Sequence, residues 1–153
     1  KYMIASKIED MLNTVTRQIA FCEFEKIIHD ERKKGELSLD RICEIWLQVQ
    51  TESLGPAIKF EDEYKYYWAY ISHFIHSPFY VYAYAFGDCL VNSLYAKYQY
   101  QPEGFEEKYI KMLEAGGTLR YNEVIAGFGF DAKKAEFWQA GLEVISKFID
   151  QIN

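Results

Sequence analysis

An apolar stripe of helical periodicity runs through the start of the chain. Between Ile4 and Cys22, apolar side chains recur every three or four residues, the spacing that places them along one face of an α-helix. The first residue typical of a helix end is Gly35, which follows two lysines that complement the negative end of the helix dipole. The sequence therefore predicts a long helix over about residues 2–34, and a chain that begins this way favours an all-helical fold.

Shorter segments with the same periodicity follow. Ser38 is a suitable N-cap for a second helix, and Asp131 is placed to cap a last helix of about 20 residues. Glycine and proline separate the segments, and no internal repeat or interior linker interrupts the series. We therefore predict a single all-α domain of six or seven helices. The predicted helices before the last one cover residues 2–34, 39–53, 60–71, 78–100, 103–115 and 121–126, with an extended segment as the alternative for 60–71.

Net charge, the length of apolar runs and cysteine content argue against several classes of partner and site. The net charge of −6 disfavours nucleic acid and anionic membranes as partners, and no apolar run reaches the roughly 18 residues of a spanning helix. The three cysteines are odd in number and lack C-x-x-C spacing. We interpret them as small buried side chains of a protein in the reducing cytoplasm.

The segment 72–88 carries the strongest signal for a functional site. It combines His73 and His76 with three alternating tyrosines, Tyr80, Tyr82 and Tyr84. Each phenol must find a hydrogen-bond partner when it is buried, so a plain core segment gains little from three of them. We interpret this segment as one wall of a catalytic cleft.

A helix beginning at Ser77-Pro78 would place these tyrosines on two different faces. Proline is favoured at the first helical position, and from there Tyr80, Tyr84 and Gly87 share one face while Tyr82 points away. Phenol donors grouped in this way can stabilise an oxyanion that develops during acyl transfer. The simpler alternative, that these are core tyrosines, stays open on the residues alone.

Two pairs of side chains could instead bind a metal. His73 and His76 lie three residues apart, and Glu25 and His29 lie four apart on one helix face. Neither pair has an evident third ligand. Charged neighbours of the second pair favour a solvated face, so we predict no metal ligand in this chain.

Several motifs together resemble the oligoendopeptidase F family, zinc metallopeptidases related to thimet oligopeptidase. The segment from His73 to Gly87 resembles the C-terminal signature of that family, and residues 17–25 with His29 resemble the helix that follows its zinc site. Gly116-Gly117 resembles a late turn, and residues 128–131 with 137–142 resemble the closing segment. The motifs occur in the family's order over nearly the whole chain.

The resemblance implies a fold, an activity and roles for residues. Family members have a zincin-type helical catalytic domain, in which an H-E-x-x-H motif and a further Glu hold the zinc. No such motif occurs here, so the resemblance implies that residues 1–153 are the C-terminal portion of that domain, with the zinc-binding part upstream. It further implies hydrolysis of short peptides by the full-length enzyme, with Tyr84, Tyr80 and His73 catalytic and His76, Tyr82 and Gly87 binding substrate. The spacing between His73 and Phe79 has one residue more than is common in the family, so the choice between His73 and His76 as the functional histidine stays open.

Three expectations follow for the chain by itself. It should bind no zinc and cleave no peptide, because the zinc ligands would be absent. An apolar patch, for which the Ile4–Cys22 stripe and the tyrosine face are candidates, should be exposed and relieved by self-association. The alternative function is a stand-alone all-α module that binds a peptide or another ligand without catalysis.

Overall fold

The computed structural model describes residues 1–152, and this part of the chain is helical without a strand. The all-α prediction is therefore confirmed. Eight α-helices are present instead of six or seven, since a π-helical turn interrupts the first helix and a one-turn helix precedes the longest one. The helices are α1 (Tyr2–Leu12), α2 (Gln18–Arg32), α3 (Leu39–Leu54), α4 (His73–His76), α5 (Tyr82–Tyr100), α6 (Phe105–Ala115), α7 (Tyr121–Ala126) and α8 (Ala135–Asp150).

The contacts within the chain group into two compact units. The first comprises Asp10–Phe86, and the second comprises Lys1–Glu9 with the residues from Gly87 onward. None of the helices within residues 1–152 is long and apolar enough to cross a lipid bilayer.

A π-helical turn over Asn13–Arg17 joins α1 to α2 and changes which side of the helix is buried. Before it, the predicted stripe is buried at Ile8 and Met11, but after it Ile19 is 56% exposed. A π-turn hydrogen-bonds from i to i+5, so it rotates the residues that follow relative to a regular helix. The single continuous stripe was therefore wrong beyond the turn, where Ala20, Phe21, Phe24 and Glu25 become the buried residues of α2.

The core of the first unit is aromatic and centres on Trp46, which is fully buried. The rings of Phe21, Phe24 and Phe74 lie 5.5, 5.2 and 6.4 Å from the Trp46 ring, mostly at steep angles. The indole N–H donates to the carbonyl of Tyr64 at 3.0 Å, so the polar atom of this buried side chain is satisfied. Trp46 lies on α3, whose predicted N-cap is confirmed: the Ser38 hydroxyl accepts from the amide of Arg41 at 3.2 Å.

The segment predicted as a short helix over 60–71 is a 3₁₀-helix, Asp62–Tyr70. In a 3₁₀-helix the side chains at i and i+3 eclipse. Tyr64, Tyr67 and Tyr70 have this spacing, and their successive rings lie 5.4 and 5.3 Å apart. The tyrosine spacing therefore suits this helix type better than an α-helix.

In the second unit, α8 packs closely against α5. A Cβ at Gly141 would lie 2.7 Å from the carbonyl oxygen of Cys89, so glycine is needed for the approach. The buried Ser93 hydroxyl donates to the carbonyl of Phe137 at 2.8 Å across the same contact. Asp131 does not cap α8, which begins at Ala135; its carboxylate accepts from the amide of Lys133 in the preceding turn.

The cysteines are free, and two of them, Cys43 and Cys89, are buried. Burial raises the pKa of the Cys89 thiol above its ordinary value, and the neighbouring Asp88 carboxylate adds to this effect. Burial is also the main cause that raises the pKa of the half-buried Cys22. A raised pKa keeps both thiols protonated at neutral pH, as expected for structural cysteines.

Candidate functional site

The segment from Ser72 to Phe86 folds as a one-turn helix, a tight turn and the start of α5. The predicted helix start at Pro78 was wrong, because α5 begins at Tyr82. Pro78 is instead the second residue of a turn that the amide of Tyr80 closes by donating to the carbonyl of Ser77 at 3.2 Å. Proline at this turn position has its φ already set, so the residue contributes to the turn and not to the helix.

Phe79, the third residue of this turn, has φ of +60° and is the one non-glycine residue with positive φ among residues 1–152. Proline at the second position and positive φ at the third are the pattern of a type II turn, which normally takes glycine or asparagine at the third. A bulky residue held in this region costs about 1–3 kcal/mol and persists only where its surroundings enforce it. The backbone beside the tyrosines is therefore strained.

Three side chains of the segment form one cluster, which we call the His73 cluster: His73, Tyr80 and Tyr84. The Nε2 atom of His73 and the hydroxyl of Tyr84 lie 3.0 Å apart. The Tyr80 ring is stacked parallel to the His73 ring at 6.4 Å and meets the Tyr84 ring edge-on at 5.6 Å. Tyr80 is 52% exposed and Tyr84 is 40% exposed, so a molecule in solution can reach both phenols.

The predicted pairing of Tyr80 with Tyr84 holds in the structure, although the reason given for it was wrong. The pairing does not come from one regular helix, because Tyr80 precedes α5. The amide of Tyr84 donates to the carbonyl of Val81, and Val81 is fully buried. A tight turn followed by the first turn of α5 brings the two rings together.

The remaining predicted site residues lie outside the cluster. Among the described residues, neither His76 nor Tyr82 makes a ring contact or side-chain hydrogen bond with it. Both side chains are exposed, Tyr82 at 55%. Gly87 lies in α5 in the second unit, where an added Cβ would meet no atom within 4 Å.

The geometry does not fit a zinc site. Within residues 1–152, no three His, Cys, Asp or Glu side chains are grouped so that they could hold a metal ion. Both considered pairs have other contacts, since His73 faces Tyr84 while Glu25 and His29 contact Phe79. The donors of the His73 cluster suit a developing oxyanion better than a cation.

The solvated position expected for Glu25 was wrong, because this side chain is only 2% exposed. Its Oε1 atom accepts the amide N–H of Phe79 at 2.8 Å. Glu25 follows the buried Phe21 by four residues, a spacing that could have placed it on the inward face. The turn at Phe79 had no such signal, since glycine is absent there.

Comparison with known proteins identifies the class. The profile of peptidase family M3 matches residues 1–144. An oligoendopeptidase F homolog of Borreliella burgdorferi is 36% identical over 119 residues, which is 77% of this chain and 20% of that protein. The plasmid oligoendopeptidase F of Lactococcus lactis subsp. cremoris is 30% identical over 146 residues, or 95% of this chain and 24% of that protein.

A solved structure agrees with these matches. The crystal structure of oligoendopeptidase-F from Enterococcus faecium superposes with a TM-score of 0.81 at 26% identity, covering 98% of this chain and 30% of that one. The chain belongs to peptidase family M3, and its resemblance to the oligoendopeptidase F group is confirmed. It spans about a fifth to a quarter of the length of the curated relatives that it matches.

Proposed function

We propose that the full-length protein is a cytoplasmic, zinc-dependent metalloendopeptidase that hydrolyses short peptides. In this proposal residues 1–153 are the C-terminal portion of its catalytic domain. The observation that carries the proposal is the His73 cluster, three accessible hydrogen-bonding side chains held together in a chain of peptidase family M3. The names of the relatives, oligoendopeptidase F, support short peptides as the substrate class.

Tyr84 is proposed to donate a hydrogen bond from its phenol O–H to the carbonyl oxygen of the scissile bond as that oxygen becomes negative. Such a hydrogen bond is stronger in the transition state than in the ground state, so it raises kcat more than it lowers KM. His73, 3.0 Å away, orients the phenol and contacts the substrate backbone. Tyr80, whose ring meets the Tyr84 ring edge-on at 5.6 Å, supplies a second donor.

His76, Tyr82 and Gly87 are proposed to bind substrate. The two exposed side chains leave hydrogen-bonding groups open to a peptide. At Gly87 an added Cβ would meet no atom within 4 Å, which leaves room for a substrate to approach the helix there. The three residues lie between positions 76 and 87, close in sequence to the members of the His73 cluster.

We propose that the zinc ligands lie outside residues 1–153, because the described residues offer no group of three ligands. On this proposal the 153-residue chain alone binds no stoichiometric zinc and has no peptidase activity. Exposed side chains of the two candidate patches, among them Ile19 of the stripe at 56% and Tyr80 of the tyrosine face at 52%, would then favour self-association of the isolated chain.

The test uses the full-length protein with a fluorogenic peptide. Tyr84→Phe should lower kcat by roughly 10²–10³ and leave KM nearly unchanged, as expected when one oxyanion donor is lost. Tyr100→Phe is the matched control, since Tyr100 lies at the far end of α5 and is 90% exposed. Wild-type kcat in Tyr84→Phe would remove this phenol from the mechanism.

A second measurement tests the zinc. Treatment of the full-length protein with a chelator should abolish hydrolysis, and added zinc should restore it. Binding of a peptide by wild-type full-length protein without any hydrolysis would instead support an all-α binding module.

A further inference from the structure

The buried carboxylate of Glu25 has no role in the proposed chemistry and yet lies beside the site. The side chain is 2% exposed, and its two oxygens are in different situations. Oε1 accepts the Phe79 amide at 2.8 Å, while Oε2 has no hydrogen-bond partner among the described residues. Burial of a carboxylate is costly unless its hydrogen bonds compensate. A buried carboxylate with a single hydrogen bond, to one backbone amide, therefore points to a role for that bond.

The bond reaches the strained residue of the turn. Phe79 has φ of +60°, a conformation that L-residues with a Cβ rarely adopt. The amide that donates to Glu25 belongs to this residue, so the hydrogen bond ties the strained position of the turn directly to α2. The charge on the acceptor makes the hydrogen bond stronger than one between neutral groups.

A second contact from the same helix holds the side chain of Phe79. The His29 ring lies 4.5 Å from the Phe79 ring, and His29 follows Glu25 by one helical turn. Helix α2 therefore holds the backbone of Phe79 with one residue and its ring with the next residue on the same face. Together these contacts oppose relaxation of Phe79 to negative φ.

The turn determines where the His73 cluster can form. Tyr80 directly follows Phe79, and Tyr84 lies in the first turn of α5 immediately afterwards. If Phe79 relaxed to negative φ, the chain direction at Tyr80 would change. The stacking of Tyr80 on His73 and the 3.0 Å contact between Tyr84 and His73 would then be lost.

We propose that Glu25 is a positioning residue for the peptidase reaction: its carboxylate holds Phe79 in the left-handed conformation and thereby aligns Tyr80 and Tyr84 with His73. This inference rests on the proposed function for its kinetic consequence. Its structural consequence can be measured without activity.

The kinetic test compares four variants of the full-length protein. Glu25→Ala should lower kcat by roughly 10², the loss typical of a small misplacement of catalytic groups, with KM little changed. Glu25→Gln keeps a carbonyl oxygen where Oε1 lies and should recover most of that loss. Phe79→Gly should make Glu25 dispensable, because glycine adopts positive φ without strain. Glu25→Ala should therefore cost far less kcat in the Phe79→Gly background than in the wild type.

A merely structural role for Glu25 would give a different result. Equal kcat losses for Glu25→Ala with and without Phe79→Gly would overturn the proposal, as would wild-type kcat in Glu25→Ala. A Glu25→Gln variant as impaired as Glu25→Ala would also overturn it.

A crystal structure of full-length Glu25→Ala separates this inference from the proposed function. We expect negative φ at Phe79 and a His73–Tyr84 distance beyond hydrogen-bonding range. Retention of positive φ and of the 3.0 Å contact would overturn the inference whatever the activity. If the geometry changes as expected but the wild type cleaves no peptide, the proposed function fails and the positioning role stands.

Discussion

The first unit contains two aromatic clusters that share no residue, and they differ in burial and in polarity. The buried one, which we call the Trp46 cluster, consists of Trp46, Phe21, Phe24 and Phe74. The His73 cluster is exposed and consists of a histidine and two phenols. His73 and Phe74 are adjacent in α4, yet each belongs to a different cluster.

The difference lies in how each cluster treats its polar atoms and its backbone. In the Trp46 cluster the single polar atom, the indole N–H, has a backbone partner, and the helices around it are regular. In the His73 cluster one hydrogen bond joins His73 and Tyr84, both phenols are exposed to solvent, and a strained turn lies between His73 and the second phenol. The first arrangement stabilises the fold. The second is typical of a site where strain serves positioning, and the comparison predicts that stability and activity can be changed separately.

The largest expected effect is on stability. Trp46→Ala removes a fully buried ring that contacts four other aromatic rings, and we expect the free energy of unfolding to fall by about 3–5 kcal/mol. Urea unfolding of the 153-residue chain, followed by far-UV circular dichroism, measures this. Tyr84→Phe in the same chain is the control and should stay within about 0.5 kcal/mol of wild type. A comparable loss in both variants would mean that the two clusters form one cooperative core.

Substitutions of the adjacent residues Phe74 and His73 in α4 should separate effects on stability from effects on activity most clearly. Phe74→Ala should lower the free energy of unfolding by about 2 kcal/mol, less than full burial would cost, because Phe74 is only partly buried. His73→Gln should leave stability within about 0.5 kcal/mol of wild type, but should lower kcat of the full-length protein by roughly 10². If stability and kcat both fell in either variant, the assignment of stability to the Trp46 cluster and of activity to the His73 cluster would be contradicted.

A smaller effect is expected at Tyr80. Its hydroxyl has no hydrogen bond to His73, in contrast to that of Tyr84, and its ring is stacked on His73. Tyr80→Phe keeps the ring and should lower kcat about tenfold, the value of one modest hydrogen bond. Steady-state kinetics beside Tyr84→Phe would rank the two phenols. A larger loss in Tyr80→Phe would reverse their proposed roles.

The same contrast explains how much of the molecule could be predicted from its sequence. The helical segments and the Ser38 cap follow from local periodicity and side-chain chemistry, so they were predictable. The rotation at Asn13–Arg17 was not, because a π-turn leaves the apolar spacing looking nearly regular. The Trp46 cluster combines residues from α2, α3 and α4, whose packing local patterns do not specify.

For the site, the sequence identified the residues of the His73 cluster and not the way in which they meet. Ser77-Pro78 suits a helix start and a turn equally well, and only the tertiary contacts of Phe79 decide between them. Positive φ at a phenylalanine contradicts its local preference. Such a conflict is imposed from outside the segment, here by Glu25 and His29, and is invisible without the fold.

The smallest predicted effect concerns Tyr64, the phenol at the edge of the Trp46 cluster. Its ring lies 5.9 Å from that of Trp46, and its hydroxyl donates to Gln50 at 3.2 Å. Burial raises the pKa of Tyr64 above its ordinary value of 10.0, because the charged phenolate would lose hydration in the folded state. Since the unfolded state ionises first, this contribution to stability is complete below pH 10 and declines as the pH rises through the folded-state pKa.

Tyr64→Phe should therefore flatten the decline of unfolding free energy between about pH 9 and pH 11, as measured by urea unfolding across that range. At pH 7 the variant loses the bond to Gln50, a cost of about 1 kcal/mol, so the two stability curves should converge as the solution becomes more alkaline. Parallel curves would show that Tyr64 ionises equally in both states. Convergence would show that burial governs the ionisation of Tyr64 at the edge of the Trp46 cluster, in contrast to the exposed phenols of the His73 cluster.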